Sequence, residues 1–308
     1  MLFAEGSRPD CAEDGESGHP GTLCLEIVLS FPVPTIQDHA VCLRQWDWSE
    51  TSQTVSLMTR EHGLIRCIAK GSKREKSAFS GGLEIATIGD MVAIIKPNSD
   101  LALLTAWDLV EPMYLIRHSL ERFHACMFVI DLIPRLISDH DPHPELYDAL
   151  VRTLEAIVSP RASLDQHRLH AQLAWYQWQL LECTGARPEL MGDVFTGEEL
   201  DEDAQILGFS PLHGGLTLDP KHFSEQTEHG RASGALSDTW RVRRSTVDLL
   251  RRLRSGIKPE EIGDIPDDQL IRLGGLLASY LRYLIGTEIP SGAWIYPQFE
   301  QLGERLNP

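Results

Sequence analysis

The first part of the chain alternates between apolar and polar residues, as β-strands do. In the segment HAVCLRQW, residues 39–46, Val41 and Leu43 fall on one side of an extended chain and Arg44 falls on the other. Four further segments have a similar character and are separated by turn residues: TVSLMT (54–59), LIRCIAK (64–70), DMVAIIKP (90–97) and LALLTAWD (101–108). Five short strands within roughly seventy residues predict a small Greek-key β-barrel of the OB kind.

After Pro112 the spacing of the apolar residues becomes helical. The first helix is predicted from apolar residues at spacings of three and four, namely Leu120, Phe123, Met127 and Ile130. The second helix follows the loop DHDPHPE and contains Leu150, Leu154 and Ile157. A Ser163–Gln166 capping box predicts the start of a third helix, which ends near Gly185. Two closing helices are predicted at about residues 238–255 and 267–285.

Composition divides the chain into three parts. Residues 1–37 are rich in Gly, Pro, Ser and acidic residues, and we expect them to form a flexible acidic extension. Residues 38–112 are predicted to be the OB-fold domain. Residues 113–308 are predicted to be an α-helical domain with an irregular acidic insertion at about residues 186–236. The predicted fold class is therefore α+β.

Charge and cysteine content restrict the possible functions. The chain has 308 residues and a formal net charge of -17, which argues against binding nucleic acid over the whole surface, because a polyanion is repelled at long range. No secretory signal and no membrane-spanning apolar run is present, so we predict a cytoplasmic protein without a membrane partner. The scattered cysteines lack a C-x-x-C pair, which favours reduced thiols over disulfides or structural zinc.

One basic stretch, RCIAKGSKREKSAFSGG at residues 66–82, stands out against this acidic background. It contains five cations and a single opposing Glu75, and the cations are Arg66, Lys70, Lys73, Arg74 and Lys76. Cations beside a phosphate backbone release condensed counterions, and Phe79 could offer a face on which a base stacks. The alternative is a solvated loop whose lysines only maintain solubility.

Two tryptophans, Trp46 and Trp48, flank Asp47 in the first loop of the predicted barrel, where OB-folds often contact ligands. They could stack on bases. The sequence slightly favours another role, in which one indole closes the end of the barrel and the other packs on the helical domain.

The closing segment TWRVRRSTVDLLRRLRSG carries six arginines against the single Asp248. It could extend a positive DNA-binding surface, to which Arg241 and Arg244 would contribute. Equally, Arg244 and Arg252, each four residues from Asp248, could form ion pairs with it on the helix surface. The other arginines would then balance the negative charge of the acidic segment 189–203.

The loop SDHDPHPE, residues 138–145, brings His140, Asp141 and His143 close together in sequence and could indicate a metal or hydrolase site. Its prolines and aspartates are also typical of a turn between helices, and the sequence signals no third ligand. The chain contains no G-x-x-x-x-G-K-[ST], G-x-G-x-x-G or G-x-S-x-G motif. We therefore predict a loop, no catalytic residue, no metal and no cofactor, and no enzymatic activity.

The segment from Ala40 to Glu84 resembles the N-terminal domain of RecO, the bacterial recombination mediator family. The likeness is carried by a series of residues in a specific order: Val41 and Leu43, Ser49-Glu50, Leu57 with Thr59, Gly63, Ala69-Lys70-Gly71, Lys76-Ser77 and Gly81-Gly82-Leu83. It continues more loosely through DPHPELYDALVRTLEAI and LLECTGARPEL, and covers about residues 37–190.

The resemblance implies an OB-fold followed by a helical domain that binds single- and double-stranded DNA at the bacterial nucleoid and promotes annealing. It also implies that the protein helps load RecA with RecR onto strands coated by single-strand-binding protein, whose C-terminal tail would be a further partner. The predicted DNA contacts are Arg44, Arg66, Lys70, Lys73, Arg74, Lys76, Phe79, Arg241 and Arg244.

The zinc module of the family is the main departure. Many relatives carry a four-cysteine zinc ribbon after the motif that corresponds to GARPEL, whereas residues 184–308 contain no cysteine here. We therefore expect a degenerate, metal-free zinc-ribbon loop region in this chain. A different class of function also remains open, in which the OB barrel is a protein-interaction scaffold that binds no nucleic acid.

Overall fold

A computed structural model of the protein describes residues 34–74, 76–80, 83–96, 99–159, 165–219, 239–262 and 264–297. Within these ranges a β-rich N-terminal part is followed by a mainly helical part, so the fold is α+β as predicted. Residues 1–33 of the predicted acidic extension lie outside the described residues, and the first strand begins at Thr35.

Six strands form the N-terminal sheet, and five of them lie in the segments that the alternating pattern predicts. They are β1 (Thr35–Asp47), β2 (Gln53–Thr59), β3 (Gly63–Ala69), β4 (Phe79–Ser80), β5 (Ile88–Ile94) and β6 (Ala102–Glu111). The strand order is β3-β2-β1-β5-β6-β4, and all neighbours except β4 and β6 are antiparallel. β3, the first strand in this order, also pairs with β6, and this pairing is parallel.

Strand β1 separates two hydrophobic cores. Ala40 and Cys42 belong to the core that the strands enclose, whereas Val41 and Leu43 belong to the core that the sheet shares with the helices. These four consecutive residues are at most 1% exposed, which is the burial expected of a strand covered on both faces. The helical part therefore packs on the outer surface of the sheet.

A β-bulge in β1 determines where Arg44 lies. The register with β2 shifts between Cys42 and Arg44, so the strict alternation that predicted Arg44 on the side opposite Leu43 fails at this point. The Arg44 guanidinium forms an ion pair with Asp131, which also accepts hydrogen bonds from Arg135. Arg44 thus joins the sheet to the helical part, and its contact with DNA stays a prediction.

Within the part of the chain that the structure describes, five α-helices follow the sheet. They are α1 (Leu120–Leu136), α2 (Pro144–Val158), α3 (Gln166–Cys183), α4 (Arg244–Arg254) and α5 (Asp267–Ile285). The N-cap of α3 is Asp165, whose side chain accepts from the backbone N–H of His167, whereas Ser163 of the predicted capping box lies outside the described residues. No helix within the described ranges is long and apolar enough to cross a membrane.

The buried face of α1 differs from the predicted one. Leu120 and Phe123 are 68% and 43% exposed, whereas Cys126, Phe128 and Val129 are fully buried. Because the second half of α1 lies against α2 and α3 and also joins the core shared with the sheet, it is buried nearly all round. A helix buried on most sides has no single apolar stripe for the spacing to identify.

A second, three-stranded sheet lies in the region predicted to be irregular. Its strands are β7 (Ile206–Ser210), β8 (Gly215–Thr217) and β9 (Trp240–Arg243), in the antiparallel order β8-β7-β9. The prediction of a helix from about residue 238 is therefore wrong at its start, because WRVR forms β9 and α4 begins at Arg244. Strands of three to five residues are too short for periodicity to reveal.

The buried carboxylate of Asp193 organises this second sheet. One of its oxygens accepts the backbone N–H groups of Phe195 at 2.7 Å and Thr196 at 3.2 Å. The other accepts the Thr217 hydroxyl at 2.8 Å and the Leu218 N–H at 3.1 Å. Four donors compensate for the lost hydration of the charge, so a single side chain cross-links the loop after residue 193 to the end of β8.

The cysteines of the described ranges are all free thiols. Burial raises the pKa of Cys42, Cys67 and Cys126 to about 12, so these three thiols stay protonated and unreactive at neutral pH.

We expect Asp193→Asn to lower the free energy of unfolding by about 2–3 kcal/mol, because the amide nitrogen would face an N–H donor and leave a buried group unsatisfied. Urea unfolding followed by circular dichroism measures this change. The matched control is Glu199→Gln, which removes the same charge from an exposed residue of the same segment and should leave stability unchanged. Equal stability of the two variants would contradict a cross-linking role for Asp193.

A buried histidine in α3 predicts a pH dependence of stability. The Nδ1 atom of His170 has no hydrogen-bond partner among the described residues, and burial lowers the pKa of His170 below 6.5. Below pH 6.5 the unfolded chain therefore binds a proton that the folded chain does not, so the free energy of unfolding falls as the pH falls. Above pH 6.5 both states are neutral at this site, and the effect disappears.

We expect His170→Phe to make the free energy of unfolding less dependent on pH between about pH 5 and 7, since the variant has no buried group to protonate there. Urea unfolding at several pH values gives the difference between the variant and the wild-type protein. His118→Asn, which removes an exposed histidine, should retain the wild-type dependence. A His170→Phe profile parallel to that of the wild-type protein would rule out this residue as the cause.

Candidate nucleic-acid interface

The predicted basic stretch begins on β3 and continues as a loop of turns after Ala69. Gly71 has a φ of 71°, a left-handed conformation that residues with a side chain rarely adopt. The turn it makes is closed by the N–H of Arg74, which donates to the Gly71 carbonyl at 3.1 Å. The cations that follow β3 are therefore carried on a tight turn rather than on an extended strand.

Hydrogen bonds fix this basic loop against the hairpin that joins β1 to β2. The Gly71 N–H donates to the Ser52 hydroxyl at 3.2 Å, and the Ser72 hydroxyl donates to the Gln53 side chain at 3.1 Å. The backbone N–H of Lys73 donates to the carbonyl of residue 51 at 3.2 Å, and its ammonium lies 2.5 Å from Asp47. Backbone and side-chain bonds together hold the loop beside the end of the hairpin.

The five cations of the stretch fall into two groups. Arg66 and Lys73 have carboxylate partners, at 3.2 Å and 2.5 Å respectively. The other three are exposed and form no ion pair with any residue that the structure describes: Lys70, Arg74 and Lys76. The positive charge available to a ligand is therefore concentrated on these three side chains.

Phe79 does not have the position that base stacking requires. It lies on β4 opposite Trp107 of β6, is 7% exposed and belongs to the core enclosed by the strands. A base cannot reach a ring that other side chains cover. The prediction that Phe79 stacks on a base is therefore corrected.

Trp46 and Trp48 are exposed, at 49% and 62%. Trp46, the penultimate residue of β1, lies opposite Thr54, and the backbone N–H of Trp48 donates to the Ser52 carbonyl at 3.0 Å in the hairpin loop. The sequence favoured burial of one indole at the barrel end and of the other against the helices, and that interpretation is wrong. Both indoles lie at the end of the same hairpin that holds the basic loop.

Arg241 and Arg244 have partners within the protein. Arg241 on β9 forms two hydrogen bonds with the Asp219 carboxylate, at 3.0 and 2.8 Å, and this carboxylate raises the pKa of the guanidinium. Arg244 donates to the backbone carbonyl of Glu202 at 2.6 Å and lies 3.8 Å from Asp248. These contacts engage both side chains within the protein, and the DNA contacts of Arg241 and Arg244 stay predictions.

The other arginines of α4 support the second of the two interpretations. Arg251 donates twice to the Leu190 carbonyl, at 3.0 and 2.8 Å, and Arg254 lies 3.8 Å from Glu189. Arg251, and not Arg252 as predicted, is the second arginine near Asp248, at 3.8 Å. The arginine-rich helix therefore faces the acidic segment 189–203 instead of extending a DNA-binding surface.

The loop with His140 and His143 packs against the start of β3. The His140 N–H donates to the Leu64 carbonyl at 2.9 Å, and a Cβ on Gly63 would stand only 2.3 Å from the carbonyl of Asp141. Within the described ranges no group of three His, Cys, Asp or Glu side chains is arranged to hold a metal ion. The loop thus connects the helices to the sheet, in agreement with its prediction as a loop.

A negatively charged groove of about 700 Å³ crosses β1, β5 and β6. Four carboxylates line it, those of Asp38, Glu61, Asp90 and Asp108. A phosphate backbone is repelled from such a groove at long range. The sheet therefore carries opposite charges on this groove and on the basic loop.

Comparison with known proteins adds an independent observation. The family model described as Recombination protein O N terminal matches residues 33–113, and the one described as Recombination protein O C terminal matches residues 117–293. Three similar proteins are each named DNA repair protein RecO. The one from Rhodopirellula baltica is 31% identical over 216 residues, which cover 70% of this chain and 74% of the relative.

The other two relatives match longer parts of their own chains. The protein from Idiomarina loihiensis is 28% identical over 218 residues, or 70% of this chain and 85% of the relative. The protein from Myxococcus xanthus is 24% identical over 254 residues, or 82% of this chain and 94% of the relative. Because the two family models together cover both the sheet and the helices, the chain belongs to the RecO family of DNA repair proteins.

Proposed function

We propose that this chain is a DNA-binding mediator of recombination in DNA repair, which promotes annealing of complementary strands and performs no covalent chemistry. The observation that carries the proposal is a set of three exposed cations that lie on one anchored loop and form no ion pair with any described residue: Lys70, Arg74 and Lys76. Membership of a family whose curated members are named DNA repair protein RecO supports the same role.

The strand connections support an OB-type barrel as the frame of this site. β1, β2 and β3 pair in sequence, β6 pairs with β3 in parallel, and β5 lies between β6 and β1. A five-stranded Greek-key barrel of this kind binds oligonucleotides with the loop between its first two strands. In this chain that loop is the β1–β2 hairpin, against which the basic loop is held.

The mechanism requires only electrostatics. Each cation that meets a phosphate releases condensed counterions, and screening two complementary strands at once reduces the repulsion that opposes their pairing. The carboxylates of the groove across β1, β5 and β6 restrict favourable contact to the basic loop. A chain of net charge -17 can therefore hold a polyanion at one place without attracting it elsewhere.

We also propose that the second sheet occupies the position at which relatives carry a zinc ribbon. The four hydrogen bonds to the Asp193 carboxylate support this, because they supply a cross-link between two loops of the kind that a structural metal gives. In this scheme the region of the second sheet keeps its shape through the buried Asp193 carboxylate, and its acidic surface contacts the arginines of α4.

The proposed partners are RecR, the C-terminal tail of single-strand-binding protein and, indirectly, RecA. A cavity of about 520 Å³ between α1, α2 and α3 has the mixed chemistry that an acidic tail with an apolar end requires. Arg122 and Arg168 supply positive charge to this cavity, and its lining also includes Ile157 and Leu169, which are almost fully buried. Asp165 also lines the cavity and lies 3.9 Å from Arg168. When the acidic tail binds, Arg168 would therefore exchange the Asp165 carboxylate for a carboxylate of the tail.

We expect Arg168→Glu to weaken binding of a labelled peptide of that tail by roughly fivefold, the effect of about 1 kcal/mol at an exposed charge. Fluorescence anisotropy measures the affinity. Arg187→Glu, a reversal of another exposed arginine just beyond the end of α3, is the matched control and should have no effect. Equal binding by both variants would place the tail elsewhere.

The DNA-binding role itself is tested with the triple variant Lys70→Ala, Arg74→Ala, Lys76→Ala. We expect lower affinity for single-stranded DNA and a slope of log affinity against log salt that is smaller by about two units, since each lost phosphate contact removes about 0.7. Anisotropy titrations at several salt concentrations measure both quantities.

The matched control for this titration is the triple variant Arg168→Ala, Arg243→Ala, Arg252→Ala, which removes the same charge from exposed residues of the helical part. It should keep the wild-type affinity and slope. A wild-type protein with no salt-sensitive binding would instead favour an OB-fold scaffold that binds only protein, and an unchanged basic-loop variant would show that another surface holds DNA.

A further inference from the structure

We propose that Trp46 and Trp48 make the basic loop selective for unpaired strands over duplex. This inference rests on the proposed DNA-binding function and adds the class of ligand that the site prefers. The two indoles lie at the hairpin end to which the basic loop is bonded. Their exposed faces supply an interaction that phosphate contacts cannot supply.

The exposure of both indoles needs a cause. Trp46 and Trp48 are 49% and 62% exposed, although they are two residues apart on a hairpin whose other large apolar residues are buried. Adjacent large apolar side chains in water are unfavourable, and such patches mark binding sites. Trp46 is about half exposed and Trp48 more than half exposed, so packing within the fold does not fully account for their position.

The hairpin holds the indoles in place before any ligand arrives. The backbone N–H groups of Trp48 and Ser49 both donate to the Ser52 carbonyl, at 3.0 and 3.1 Å, which closes the loop tightly. Across the hairpin, the Gln53 amide donates to the Gln45 side chain at 3.1 Å. A surface that is already ordered loses less conformational entropy when it binds.

The ion pair between Asp47 and Lys73 sets the relative placement of charge and aromatic surface. Asp47 points towards the basic loop, because its carboxylate lies 2.5 Å from the Lys73 ammonium. Successive residues of a strand point to opposite faces, so Trp46 points away from that loop. Cations therefore flank one side of the hairpin end, and indole faces lie at its tip and on its other side.

Only an unpaired strand can use both surfaces at once. A single strand can lay its backbone on Lys70, Arg74 and Lys76 and turn its bases over the tip, where each stacks on an aromatic face regardless of sequence. A duplex keeps its bases stacked inside the helix and offers the protein only phosphates and groove edges. The indoles should thus add affinity for single strands and leave duplex affinity unchanged.

The test compares the full-length wild-type chain with the double variant Trp46→Ala, Trp48→Ala in anisotropy titrations. The probes are a labelled oligothymidine longer than the roughly 4–16 nucleotides that one OB-fold covers, and a duplex of the same length. We expect single-strand affinity to fall about 5- to 150-fold for each stacked base that is lost. Duplex affinity and the salt slope for both probes should stay at their wild-type values.

The control variants separate stacking from structural effects. Trp46→Phe, Trp48→Phe should restore most of the single-strand affinity, because phenyl rings also stack on bases. Trp294→Ala removes an equally exposed tryptophan, which is 69% exposed and stacks on His124 of the helical part, and should change neither affinity. If the alanine pair lowers the melting temperature, the single variant Trp48→Ala, which changes a residue outside the strand, replaces it.

The two proposals fail in different ways. Equal loss of single-strand and duplex affinity, or no loss of either, would overturn the selectivity while the salt-sensitive binding of the wild-type protein still supported the DNA-binding role. If the wild-type chain bound neither probe, both proposals would fall. Selective loss of single-strand affinity, restored by phenylalanine, supports the inference.

Discussion

The burial of strand β1 on both faces is the constraint on which the rest of the structure depends. Ala40 and Cys42 fill the core enclosed by the strands, and Val41 and Leu43 fill the core shared with the helices. A strand packed on both sides cannot shift its register without moving apolar groups into water or polar groups into a core. Because β1 is fixed in this way, the hairpin at its end is also fixed, and it carries Trp46 and Trp48 exposed to solvent.

The same packing decides which cations remain available in an acidic protein. Arg44 and Arg66 lie where the helical part meets the sheet, and they pair with Asp131 and Asp139 of that part. The arginines of α4 likewise form hydrogen bonds and ion pairs with the acidic segment 189–203. Cations that lie between the structural parts are thus neutralised by the fold. Of the basic-loop cations, Lys73 pairs with Asp47. Lys70, Arg74 and Lys76 form no ion pair with any described residue, because the loop is held mainly by backbone groups and the side chains of Ser52 and Gln53.

Local patterns predicted the elements, whereas tertiary contacts decided the orientation of the site residues. Alternation found β1 to β3 because apolar residues recur at every second position in part of each strand, and spacing gave α5 its observed bounds. Alternation misplaced Arg44, because a single β-bulge reverses the face of the sheet towards which the following residues point. Nothing in the residues around Leu43 signals that bulge. Alternation also placed Phe79 on the surface because a two-residue strand is too short to show periodicity. The exposure of the two indoles depends on tertiary packing, which no local pattern contains.

A small number of free cations suits a protein that must bring strands together and then leave them. Three phosphate contacts on a single strand give a salt slope of about two, so a fourfold rise in salt weakens binding only roughly twentyfold, against factors of about 10³–10⁵ for proteins with six to ten contacts. Such a site derives little of its affinity from charge, and base stacking at the hairpin becomes a comparable contribution. When two strands anneal, their bases become unavailable to the indoles while the phosphates remain. In the proposed mechanism the product duplex then keeps only the phosphate contribution, so pairing itself favours release.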